Sequence, residues 1–119
     1  MINKKINLGY LLAIAKDDIS FLQKTVESMI VQTTQLIAQL KAQAAKNDSS
    51  ELAASIHACR PGIKLMGASF LDNTLNDLEE ALTTRKNSDN RKVLVHKLVT
   101  ELEVLLPELI LEKEQFSKP

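Results

Sequence analysis

The 119-residue chain is long enough for one compact core and too short for two ordinary domains, so a single domain over 1–119 is expected. Fifteen basic residues balance fifteen acidic ones, and Trp is absent with a single Tyr; this leaves no global field for nucleic acid or an anionic membrane, and no stacking surface for single strands. Hydrophobic residues make up 45% of the chain, with only three glycines and three prolines, a composition that favours helix throughout.

Asn7 can cap a short opening helix carrying Leu8, Leu11, Leu12 and Ile14, and Asp17 or Asp18 can open a second. In that second helix Ile19, Leu22, Val26, Met29, Ile30, Thr33, Ile37 and Leu40 recur at three- and four-residue steps, which predicts a core-facing stripe running to about Ala45. The polar segment Lys46 to Glu51 then supplies a turn, with a capping-box spacing from Asp48 to Glu51 and Ser49 or Ser50 as competing caps. A third helix starts there and stops at Gly67.

Phe70, Leu71, Leu75, Leu78 and Leu82 predict a fourth helix ending near Arg85, followed by a turn at Asn87 to Asn90. Leu94, Leu98, Leu102, Leu105 and Leu109, backed by Val95, Val99 and Leu106, make the last long stripe, with a polar tail after Glu112. Pro107 cannot donate to the carbonyl of Glu103, which predicts a bend or an early end to this helix. Short turns force neighbours to run in opposite directions, so the expected fold is all-α, an antiparallel four-helix bundle with a short extra N-terminal helix. No apolar run approaches the roughly 20 residues of a membrane span. The opening stretch turns acidic too soon for an export signal, and one cysteine fits a reducing compartment. A cytoplasmic protein is expected.

The third helix holds the chemistry. At about 100° per residue, Leu52, Ile56, Cys59, Ile63 and Met66 share one apolar sector, and His57 lies roughly 140° from its middle. Arg60 and Lys64 fall on the histidine's side, and Ala53, Ala54 and Ala58 are too small to hinder approach. An exposed imidazole, ordinarily neutral at pH 7 and therefore nucleophilic, beside two fixed cations suits chemistry on an anion, phosphate above all. Cys59, in the apolar sector, reads as a small core residue. His96 has no matching motif, and the acidic run Asp77 to Glu80 reads as a solvated face. No carboxylate cluster resembles a magnesium site, and two distant histidines give no zinc pattern, so no metal and no cofactor are expected.

His57, Arg60 three residues on, a small residue after it and Gly67 ten residues from the histidine together resemble the phospho-acceptor motif of the histidine phosphotransfer (HPt) family of two-component phosphorelays. The glycine common at the fourth position is replaced here by Pro61, with Gly62 following, which is similar to a bacterial branch that carries proline. Pro61 removes the helical donor of the His57 carbonyl. Gly62 either relieves crowding, lets a partner's backbone approach, or marks an irregular turn with Pro61. The resemblance implies that His57 accepts a phosphoryl group from an aspartyl phosphate on a receiver domain and passes it to another response-regulator receiver. Arg60 and Lys64 would face the transferring oxygens, and the metal would belong to the partner. It also implies a hybrid sensor histidine kinase upstream, and a monomeric carrier that is not itself an enzyme, since no glycine-rich nucleotide loop is present. A receiver would dock on the face formed by Ala53, Ala54, Ala58, Pro61 and Lys64. The alternatives are a helical adaptor that binds the same partners without being phosphorylated, and a kinase dimerisation region. The latter normally has an acidic residue directly after its histidine, where this chain has Ala58.

Overall fold

The computed structural model describes residues 5–46, 49–84 and 88–117. Helices account for nearly all of them, and no strand occurs among the described residues: α1 is Gly9–Ala15, α2 Ile19–Lys46, α3 Ser49–Leu65, α4 Asp72–Thr84 and α5 Ser88–Ser117, with one 3₁₀ turn at Ser69–Leu71 leading into α4.

The helix starts follow from local hydrogen-bond accounting. The first turn of a helix has orphan N–H groups that a side-chain oxygen can satisfy. The N-cap position of α1 is Leu8, which has no side-chain acceptor, and Asn7, expected to cap it, stands one residue earlier, where its Oδ1 accepts from the N–H of Gly9 at 2.9 Å; the Oδ1 of Asp18 accepts from the N–H of Phe21 at 3.0 Å. Asp18 is therefore the cap of α2, while Asp17 lies in the left-handed turn before it with φ 72°. Asp48 lies outside the described residues, as do Arg85 and Asn87. The turn expected at Asn87 to Asn90 is largely helix, because α5 already begins at Ser88.

The stripes read from the sequence are buried in the main, but Ile19 at the start of α2 and Leu12 and Ile14 of α1 face outward, because each lies near an end where no neighbouring helix covers it. Leu22, Val26, Met29, Thr33, Ile37 and Leu40 of α2 face the interior, and Met29, Ile63, Leu78 and Leu98 all lie in one apolar core. The most extensive packing is between α2 and α5, with α3 set against α2, α4 against α3 and α5, and α1 against α2. Arg91, buried in the first turns of α5, donates from Nη1 to the Ser49 hydroxyl at the start of α3, which ties those two helix ends together.

Two expectations about α5 are corrected. Of the bend or early end predicted at Pro107, the early end does not occur, since the helix continues through it, and the segment after Glu112 is helical to Ser117 instead of a polar tail. Pro107 is exposed, so water can satisfy the carbonyl left without a donor. Beyond it Phe116 packs against the core, and its carbonyl accepts from Gln23 Nε2 at 2.7 Å. Helix α3 likewise continues past Pro61 to Leu65.

The end of α3 positions the N-terminal segment. Gly67 has φ +66°; its N–H bonds to the Lys64 carbonyl at 3.0 Å and the Ala68 N–H to the Ile63 carbonyl at 3.2 Å, the paired bonds of a Schellman stop. The Met66 carbonyl accepts from the N–H of Asn7 at 2.8 Å. A β-carbon on Gly67 would stand 2.8 Å from Asn7 Cβ and 2.9 Å from its carbonyl carbon, and closer still to the carbonyl oxygen. Glycine is required here twice over, for its backbone angle and for the strand of chain laid across it.

Candidate functional site

His57 is exposed at the middle of α3, on a ridge it shares with the exposed Pro61 and Lys64. The buried positions of α3, Leu52, Ile56 and Ile63, occupy the opposite side, with Cys59 half-buried among them. The Cys59 Sγ lies 3.2 Å from the Ile56 carbonyl, and burial pushes its thiol up to about 11. It is a packing residue, as the projection predicts.

Each flank of the ridge borders a cleft. Toward α4, His57 and Ala53 line a shallow cleft with Glu79, Leu82 and Thr83. Toward α2, Ala54, Ala58 and Gly62 line a groove of about 440 Å³ opposite Gln32, Gln35 and Gln39, with Met29, Ile63 and Met66 among its apolar walls. The small residues expected around His57 thus fall on two different flanks, and the histidine stands between them. Gly62 has room beside it, since a β-carbon there would meet only Gln32 Oε1, at 3.9 Å.

Arg60 lies on the histidine's side of α3, and its guanidinium is engaged by α4. Its Nε donates to Glu79 Oε1 at 2.7 Å and its Nη2 to Asn76 Oδ1 at 3.0 Å, so the guanidinium bridges α3 to α4. The hydrogen bond that Arg60 donates to Glu79 raises the Arg60 pKa further above its ordinary value, against the smaller opposing effect of desolvation. Lys64 makes no ion pair among the described residues, and it lines a separate cleft with Arg60, Asp72 and Asn76. The two cations share the histidine's side of α3, but only Glu79 belongs to both the cleft at His57 and the contacts of Arg60.

Glu79 and Asn76 are the residues that sequence reasoning missed. A signal was present: Asp72, Asn76, Glu79 and Thr83 recur at four- and three-residue steps, one polar face of α4. The acidic run Asp77 to Glu80, expected as a solvated face, is split: α4 packs beside α3 and turns Glu79 toward Arg60, while Asp77 and Glu80 are exposed. His96 is exposed on α5, where it lines a cleft with Lys41 and Lys92, away from His57.

No three His, Cys, Asp or Glu side chains among the described residues come close enough to share a metal ion. No helix among them is long and apolar enough to cross a membrane. Compared with protein-family models, with curated proteins and with solved structures, the chain matches none.

Proposed function

We propose that the protein is a phosphorelay carrier of the histidine phosphotransfer kind, cytoplasmic and monomeric, whose helices α2 to α5 form an antiparallel four-helix bundle with α1 as the extra N-terminal helix. The observation that carries this reading is the placement of His57: an exposed imidazole at the crest of α3, with Arg60 at the motif spacing and alanines on either flank. A receiver's phosphoaspartate lies in a recess that only a protruding nucleophile can enter. The Nε2 lone pair of His57 forms the new N–P bond while the P–O bond to the aspartyl carboxylate breaks, and the electron pair stays on the carboxylate. The imidazolium so formed gives its Nδ1 proton to water, and the reverse sequence delivers the phosphoryl group to a second receiver. Phosphoryl transfer needs positioning and charge stabilisation more than covalent assistance. The bundle supplies the first through a rigid α3, and Arg60 and Lys64 supply part of the second. The metal ion and acidic pocket belong to the receiver, and a hybrid sensor kinase is the source of the phosphate.

One observation favours the adaptor alternative: Arg60 already has partners in Glu79 and Asn76. A single experiment separates the two readings. Labelled receiver domains are mixed with the purified protein and with His57→Gln. Acid-labile label on the wild type, absent from the variant, is the expected result. Receiver binding without label on either protein would establish the adaptor instead.

A further inference from the structure

We propose that Glu79 is a positioning residue for phosphoryl transfer, a counter-anion that holds Arg60 until a phosphoryl group on His57 takes its place; this rests on the phosphocarrier reading. Two independent facts meet at this side chain. Glu79 Oε1 accepts from Arg60 Nε at 2.7 Å, and Glu79 lines the same cleft as His57. A guanidinium has five N–H donors in a fixed fork. With Nε on Glu79 and Nη2 on Asn76, the edge that would grip a phosphoryl group bidentately is occupied.

A phosphoryl group on His57 brings close to two negative charges to the mouth of a cleft that already holds a carboxylate. Like charges lining one cleft repel, so Glu79 opposes the phosphohistidine directly as well as by competing for the cation. The structure resolves the conflict by exchange, because Arg60 can leave a surface carboxylate for a more highly charged anion one helical turn away on α3. The Glu79 side chain is 44% exposed and that of Arg60 31%, so solvent screens the pair and makes release cheap. The effect on rate is accordingly a few-fold and not many orders of magnitude. Its use is kinetic: a carrier must accept a phosphoryl group without storing it too well, and a fixed carboxylate beside the acceptor histidine favours onward transfer.

The test needs no receiver. Phosphoramidate serves as donor: His57 Nε2 forms the N–P bond as the donor's own P–N bond breaks, and the electron pair leaves with nitrogen as ammonia. Uptake and loss on the full chain are followed by intact mass and phosphorus NMR for wild type, Glu79→Gln, Asn76→Ala, Arg60→Ala, Glu79→Gln/Arg60→Ala and His57→Gln. Glu79→Gln, which keeps an acceptor for Arg60 but removes the charge, is expected to take up the group about three- to tenfold faster and lose it more slowly. Asn76→Ala is expected to shift both rates the same way by less. The gain from Glu79→Gln should shrink in the Arg60→Ala background, since part of it acts through that cation. The Arg60 Nε–H resonance should move when the wild type is phosphorylated. Uptake by Glu79→Gln at or below the wild-type rate, with unchanged unfolding midpoint, would overturn the proposal and leave Glu79 a structural partner. Phosphate carried on His57 with identical rates in all Glu79 variants would do the same while sparing the carrier reading. No uptake by the folded wild type would remove both.

Discussion

Gly62 and Gly67 stand five residues apart in the same segment and carry opposite expectations. Gly67 needs its positive φ, and a β-carbon would collide with the Asn7 backbone. Gly67→Ala should therefore cost about 3 kcal/mol or more, the left-handed penalty plus displacement of the N-terminal segment. Gly62 sits within a helix with only Gln32 Oε1 near the added methyl, so Gly62→Ala should be neutral or stabilise by up to about 1 kcal/mol. Urea denaturation of the two variants checks both. Cys59 gives a second expectation. Its thiol is raised by burial to about 11 from the usual 9.0, so the folded state disfavours the thiolate. The stability this confers is complete below the unfolded value and is lost as pH rises from about 9 through the folded value. The unfolding midpoint should fall over that window in wild type and fall less in Cys59→Ala. Alkylation of native Cys59 at pH 8 should be slow compared with the denatured chain.

At the scale of the helix, α5 shows tertiary packing overriding a local breaker. Proline in a helix interior costs about 3 kcal/mol relative to alanine, yet α5 crosses Pro107 because ten residues of helix beyond it gain the Phe116 contacts and the Gln23 hydrogen bond. Since Pro107 is exposed, Pro107→Ala should restore the missing bond to Glu103 without disturbing packing. We expect a gain of about 1–3 kcal/mol in chemical denaturation. The α2–α3 groove supports another prediction. Ala54 is exposed and lines that groove beside the His57 ridge, so Ala54→Trp should fill it with little effect on stability and weaken receiver binding. A variant that bound and exchanged phosphate normally would move the docking face elsewhere, the α4 flank being the next place to look.

Over the whole molecule, helix length explains the role of the N-terminal segment. At 1.5 Å per residue, the 28 residues of α2 and 30 of α5 span about 42 and 45 Å, whereas the 17 of α3 and 13 of α4 span only about 26 and 20 Å. The long pair accounts for the 52 × 24 × 24 Å extents and outruns its shorter neighbours. The opening residues close over the end of α3: Ile6 and Leu8 are buried, Asn7 bonds to Met66, and Glu108 accepts from the N–H groups of Lys5 and Ile6 at 2.7 and 3.3 Å. Deleting residues 1–7 removes the Ile6 side chain and four hydrogen bonds, three donated by the N–H groups of Lys5, Ile6 and Asn7 and one that Asn7 Oδ1 accepts from Gly9. The expected cost is about 2–5 kcal/mol, with helical circular dichroism nearly unchanged at low denaturant.

What the sequence determined by itself was periodic and local. Apolar steps of three and four residues gave the helices and most of their buried faces, Asn7 and the pair Asp17 and Asp18 marked two starts to within a residue, Gly67 gave a stop, and the 140° offset of His57 from the apolar sector put it on the exposed side. These depend on the geometry of one helix and on hydrogen bonds within a few residues, which a linear string records. Tertiary structure decided the rest. Whether Pro107 ended α5 depended on what Phe116 could bury, and whether Arg60 was a free cation depended on which face of α4 lay against α3. The small residues around His57 divided between two clefts for the same reason. A residue's neighbours across a helix interface are set by the packing of both helices, and the periodicity of one helix carries no record of its partner's rotation.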